Sequence, residues 1–112
     1  MNWNILNEIT QLDEISEESK TQPVAIFKHS IRCPISSTAK DRFERAWSKV
    51  TDHKNVKVYY LDLINLRQIS NHVATKFGVQ HESPQIIVLK NGEVIYDESH
   101  YGINLEEILE KI

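Results

Sequence analysis

The sequence predicts an α/β fold in which a central mixed four-stranded sheet is flanked by helices. Three observations predict it. Short apolar runs of strand length alternate with longer stretches whose apolar residues recur every three or four positions. Pro34 opens one of those helical stretches, directly after the single cysteine, Cys33. Asn91-Gly92 separates the last two apolar runs, a strong signal for a type I′ hairpin.

Taken in order, Ile5, Leu6, Ile9, Leu12 and Ile15 stand at helical spacing and predict an amphipathic helix over 2–18. Pro23 ends the polar stretch Ser16–Gln22, and Val24-Ala25-Ile26-Phe27 suits a buried strand. From Pro34 to about Val50, the residues Ile35, Ala39, Phe43, Ala46, Trp47 and Val50 share one helical face. Proline is tolerated at the first helical position because its missing N–H would have had no intrahelical partner. Val56–Asp62 is the next strand. Asn65 to Phe77 is a helix with Leu66, Ile69, Val73 and Phe77 inward, closed by Gly78. Gln85–Lys90 and Glu93–Asp97 form the hairpin, and Asn104 caps a final helix, Leu105–Ile112. A crossover helix makes the first two strands parallel, whereas the hairpin is antiparallel.

A chain of 112 residues is expected to form one domain, 1–112, and to bury roughly two-thirds of its unfolded surface. A net charge of −3 argues against a general phosphate-binding role, so no nucleic-acid partner is expected. No apolar run approaches the ~20 residues of a membrane span. The start, Met1-Asn2-Trp3-Asn4-Ile5, lacks the basic and apolar regions of a signal peptide. These features predict a cytoplasmic protein without membrane partners, monomeric by default. One cysteine permits no internal disulfide, so any redox chemistry must involve a second molecule. His53, His72, His81 and His100 show no metal-ligand spacing; no metal is expected, and these histidines read as surface residues. Trp3 and Trp47 read as core residues on apolar helical faces.

Cys33 falls at a strand-to-helix turn, where the free N–H groups and positive end of a helix favour a thiolate. Ser36 stands where the second cysteine of a Cys-x-x-Cys pair would be, so the segment reads as a one-cysteine version of a two-cysteine site. A lone cysteine is by default a small buried hydrophobe; the Pro34 and Ser36 context favours a reactive one. Lys28, His29, Arg32 and Lys40 form a local basic cluster. Within it Lys28 reads as a strand-end surface lysine and His29 as a satisfied structural histidine. Arg32 is open to two readings, a solvated loop side chain or a charge that meets substrate.

Two segments carry a resemblance. Phe77-Gly78-Val79-Gln80-His81-Glu82-Ser83-Pro84, continuing through Gln85-Ile86-Ile87-Val88-Leu89-Lys90-Asn91-Gly92-Glu93-Val94, resembles the second half of thioredoxins. That resemblance implies a cis peptide before Pro84, placed against the active cysteine; such a bond costs only ~0.5–1 kcal/mol. Lys28-His29-Ser30 followed by Cys33-Pro34-Ile35-Ser36 resembles the monothiol bacilliredoxins, over nearly the whole chain. The family motif has Thr before the cysteine, where this chain has Arg32.

The resemblance implies a thioredoxin-like oxidoreductase that removes bacillithiol, a cysteinyl-glucosaminyl-malate thiol, from protein mixed disulfides. Cys33 would be the nucleophile. Arg32, Pro34, Ile35 and Ser36 would shape the near side of the site, and Ser83 and Pro84 would hold the substrate backbone. Arg32 and Lys28 are the nearby charges for the malate carboxylates. Ser36 can donate a hydrogen bond to a thiolate but cannot close a disulfide. No bound cofactor is implied; bacillithiol is the thiol co-substrate and bacillithiolated client proteins are the partners. Two other readings remain. One is a monothiol glutaredoxin-like protein using glutathione and an iron–sulfur cluster, although such proteins carry Gly-Phe where this chain has Pro34-Ile35. The other is a non-enzymatic thioredoxin-like binding module or redox sensor.

Overall fold

A computed structural model describes all residues, 1–112. The strands are β1 (Asn4–Ile5), β2 (Val24–His29), β3 (Lys57–Asp62), β4 (Gln85–Lys90) and β5 (Glu93–Ser99). The helices are α1 (Gln11–Glu18), α2 (Pro34–Lys49), α3 (Arg67–Phe77) and α4 (Leu105–Lys111), with a 3₁₀ turn at His100–Gly102. The sheet order is β1-β3-β2-β4-β5. β2 runs parallel to β3, from Val24 opposite Lys57 to His29 opposite Asp62, and antiparallel to β4.

β2 lies in the middle with a neighbour on each side, and all six of its residues are buried. Because strand side chains alternate between faces, Val24 and Ile26 pack with Leu12 and Ile15 of α1 and Ile69 and Val73 of α3. Ala25 and Phe27 pack on the opposite face with Ala39 and Phe43 of α2 and Leu105 and Ile108 of α4. Each buried Leu, Ile or Phe contributes about 1.5–3 kcal/mol, so the two apolar layers clamp β2 from both sides. No helix is long and apolar enough to cross a membrane.

Turn chemistry fixes the ends of these elements. Gly78 takes φ +67° and its N–H caps the Ala74 carbonyl, closing α3 in the left-handed conformation glycine tolerates best. Asn91 and Gly92 both have positive φ, as the hairpin turn requires. The Asn104 side chain accepts from the Glu107 N–H at 3.3 Å.

The sheet has five strands rather than four, and the difference lies in residues 2–18. The chain begins with the short edge strand β1, Asn4 opposite Tyr59 and Ile5 opposite Tyr60, and helix starts only at Gln11. The Gln11 side chain holds the intervening turn, accepting from the N–H groups of Asn7 and Glu8 and donating to the Ile5 carbonyl. Ile5 and Ile9 of the expected helical stripe are exposed, while Leu6, Leu12 and Ile15 are buried. Trp3 therefore reaches the core from a strand-like segment. It stacks on Phe43 at 5.8 Å, meets Phe27 edge-on and donates its Nε1–H to Glu44 at 2.8 Å.

Candidate active site

Parallel strands deliver their C-terminal ends to one edge of the sheet, where the following loops gather. Here β2 leads into the turn Ser30–Cys33, and the antiparallel β4 begins at the same edge with Pro84 just before it. Lys28 lies opposite Gln85 in the β2–β4 ladder, so the two loops rise from adjacent strands. The Ser83–Pro84 peptide is cis. Pro84 is buried and Ser83 half-buried.

Cys33 is the N-cap of α2, with extended backbone, and Pro34 occupies the first helical position. The Cys33 N–H donates to the Ser30 carbonyl at 3.2 Å, and its carbonyl accepts from the Ser37 N–H at 3.1 Å. The thiol is free and half-buried. Ile31, Arg32, Pro34 and Ile35 around it are exposed, so an apolar rim with one cation surrounds the sulfur. Cys33 lines none of the surface concavities; the two largest, each about 560 Å³, lie beside α2 and α4 and between the β1–α1 loop and α3. A sulfur on an open edge suits a disulfide carried on another macromolecule better than an enclosed small substrate.

The polar groups buried beneath this edge are unusual in their concentration. Seven polar side chains are buried: Ser19, Lys28, His29, Ser30, Ser36, Ser70 and Gln85. All but Ser19, which binds the hairpin turn at Gly92, lie under the two loops. Buried polar groups are costly unless hydrogen-bonded, and no fully buried side-chain nitrogen or oxygen lacks a partner.

The first cluster supports the cysteine turn. Ser36, fully buried one turn into α2, accepts from the Ser30 N–H at 3.0 Å and lies 2.7 Å from His29 Nδ1. Burial holds the His29 pKa below the ordinary histidine value; Lys40 adds to this, opposed by Asp62 and Glu44. A neutral His29 therefore shares one hydrogen bond with Ser36, as a satisfied structural histidine does. Ser36 lies beneath the turn rather than on its rim.

The second cluster supports the Pro84 loop and corrects two sequence expectations. Lys28 is not a strand-end surface lysine: it is completely buried, because it continues the Val24, Ile26 alternation into the α1/α3 face. Its Nζ donates to the Ser70 carbonyl at 3.1 Å and approaches His81 Nδ1 at 3.2 Å. Burial alone pulls its pKa down to about 8. Lys28 thus cannot touch a bound carboxylate. His81, expected as a plain surface residue, is half-buried and tied to Lys28 and Ser70. His53 is likewise engaged, stacked on Trp47 at 3.8 Å with Nε2 on the Trp47 carbonyl. His72 and His100 are exposed. Sequence reasoning also passed over Ser70 and Gln85; for Gln85 the available signal was a polar residue in a strand covered on both faces, whereas Ser70 lies on the inner side of α3.

The chain matches the family model of monothiol bacilliredoxin BrxC over residues 4–108. Among solved structures, it resembles a chain of thioredoxin fold assigned as an oxidoreductase, at 33% identity and TM-score 0.79, covering 96% of this chain and 90% of that one. A thioredoxin of Malassezia sympodialis matches at 16% identity and TM-score 0.72, with coverage of 97% and 86%. One from Fasciola hepatica matches at 16% identity and TM-score 0.68, with coverage of 97% and 95%. These last two speak for the fold alone.

Proposed function

Because the chain belongs to the monothiol bacilliredoxin family, we propose that it removes bacillithiol from protein mixed disulfides, with Cys33 as the nucleophile. Thiol redox chemistry is what the family and the fold support; the choice of bacillithiol is the finer reading. The observation that carries the proposal is a single half-buried thiol at the N-cap of α2, flanked in sequence by exposed Ile31, Arg32 and Ile35, on a loop that leaves β2 while the cis Ser83–Pro84 peptide leads into the paired strand β4.

The Cys33 thiolate attacks the bacillithiol sulfur of the mixed disulfide. A new S–S bond forms as the old one breaks, and the electron pair leaves on the client cysteine, which takes a proton from solvent. Cys33 now carries bacillithiol. Ser36 has no sulfur to close a second disulfide, and its hydroxyl is engaged with His29 and Ser30. A second bacillithiol thiolate therefore attacks the bacillithiol sulfur on Cys33, releasing bacillithiol disulfide and restoring the Cys33 thiolate. No bound cofactor enters either step.

Lowering a thiol's pKa raises its thiolate fraction but weakens the nucleophile, so the net gain is only a few fold. Alignment of the disulfide contributes more. In this reading Arg32, Pro34 and Ile35 shape the near side of the site around the incoming disulfide, Ser36 braces the turn from below, and Ser83 and Pro84 hold the substrate backbone. Cytoplasmic location and a monomeric state belong to the same reading. The test is release of client thiol from a bacillithiolated protein with excess bacillithiol. Turnover is expected for the native chain and none for Cys33→Ser; equal rates for both would refute the proposal.

A further inference from the structure

The Lys28 ammonium is buried with no carboxylate beside it, since none of the four ion pairs of the chain includes it. It spends its hydrogen bonds on the Ser70 carbonyl and on His81 Nδ1. An ammonium donates and never accepts, so Nδ1 of His81 must be the acceptor and carry no proton. Ser70 Oγ lies 3.3 Å from the same nitrogen. A neutral imidazole then bears its proton on Nε2. His81 is kept neutral because burial first, then Lys28 and Arg67, pull its pKa down, with Glu82 opposing.

Nε2 makes no hydrogen bond within the chain, so His81 presents an unspent donor. The loop that carries it is braced: Gln85 Nε2 donates to the Gln80 carbonyl at 3.0 Å, and Gln85 Oε1 accepts from the Glu82 N–H. His81 stands three residues before Pro84. An N–H donor whose tautomer is fixed by a buried ammonium thus stands on the loop that leads to Pro84.

We propose that the His81 Nε2–H donates to a carboxylate of the small-thiol half of the mixed disulfide, with Lys28 as the positioning residue that fixes the His81 tautomer. The proposal rests on the de-bacillithiolation reading, whose small thiol bears malate carboxylates. It replaces the expectation that Lys28 itself meets those carboxylates. A hydrogen bond to a charged acceptor is worth enough to change transfer about tenfold.

The test uses one client protein carrying either bacillithiol or its des-malyl form, cysteinyl-glucosamine, as the mixed disulfide. The native chain is expected to take bacillithiol about tenfold faster. His81→Ala is expected to shrink that ratio toward one, whatever its effect on the des-malyl rate, because the ratio cancels any general loss from disturbing the loop. Equal native rates for the two adducts would overturn the subsite and leave the exchange reaction standing. Transfer of neither would refute the exchange reading, and the subsite with it. Nitrogen NMR of His81 adds a readout independent of activity: an unprotonated Nδ1 is expected, and a proton on Nδ1 would overturn the role given to Lys28.

Discussion

The His29 imidazole and the Ser36 hydroxyl, seven residues apart in sequence, meet at 2.7 Å inside the turn that carries Cys33. The same hydroxyl accepts from the Ser30 N–H, so one oxygen joins the end of β2, the turn and the first turn of α2. The serine at the second-cysteine position is therefore a brace for the turn that carries Cys33. On the other face of the sheet Lys28 does the corresponding work for the Pro84 loop. Adjacent residues of one central strand thus support the two halves of the site by pointing in opposite directions.

Removing the brace is expected to cost stability more than chemistry. Ser36→Ala leaves a buried Ser30 N–H and His29 Nδ1 without their partner, a loss of about 1–3 kcal/mol in a urea titration. Its exchange rate is expected to fall without vanishing, whereas Cys33→Ser loses exchange altogether. A folded Ser36→Ala chain as inactive as Cys33→Ser would contradict the supporting role.

Lys28 is expected to oppose stability while serving the site. Its folded pKa of about 8 lies below the ordinary value of 10.5. Between those values the unfolded chain binds more protons, so stability rises with pH through this window. Below pH 8 the ammonium is charged in both states and its burial cost is present in full. Lys28→Met, similar in length and uncharged, is expected to be more stable at pH 7 by on the order of 1–3 kcal/mol and to lose the rise. Denaturant midpoints from pH 7 to 9.5 check this. Above that range the raised pKa values of Tyr59, Tyr60 and Tyr96, the last pushed up to about 12, act in the opposite sense. A less stable Lys28→Met chain at pH 7 would contradict the account.

The acid side carries the mirror argument. Burial holds His29 and His81 below the ordinary value, so both stay neutral in the fold while the unfolded chain protonates. Their contribution is complete above about pH 6.5 and is lost as pH falls from there toward 5, before carboxylates dominate. His29→Gln is expected to flatten part of that slope. An unchanged slope between pH 6.5 and 5 would mean that His29 protonates without cost.

Much of this was legible in the sequence, and the failures have particular causes. Hairpin, crossover and helix ends followed from Asn91-Gly92, Pro34 and Gly78, whose backbone demands are local. The N-terminal segment misled because Leu6 is buried just after β1 and Leu12 and Ile15 are buried from α1, and their spacing imitates one helix. Cys33 and its rim were legible from type and order. Lys28 was not, because a lysine near a strand end is ordinarily solvated. Only the pairing with Gln85 and the cover of α3 decide that its ammonium stays inside.

The central claim is that Cys33 accepts bacillithiol from a client. Intact mass spectrometry after mixing reduced protein, in parallel, with a bacillithiolated and a glutathionylated form of the same client tests it most directly. The account predicts fast appearance of the bacillithiol adduct on this chain, with the client thiol freed and glutathione moved slowly. Absence of any adduct on Cys33 would contradict it, and equal transfer of both would contradict the preference for bacillithiol.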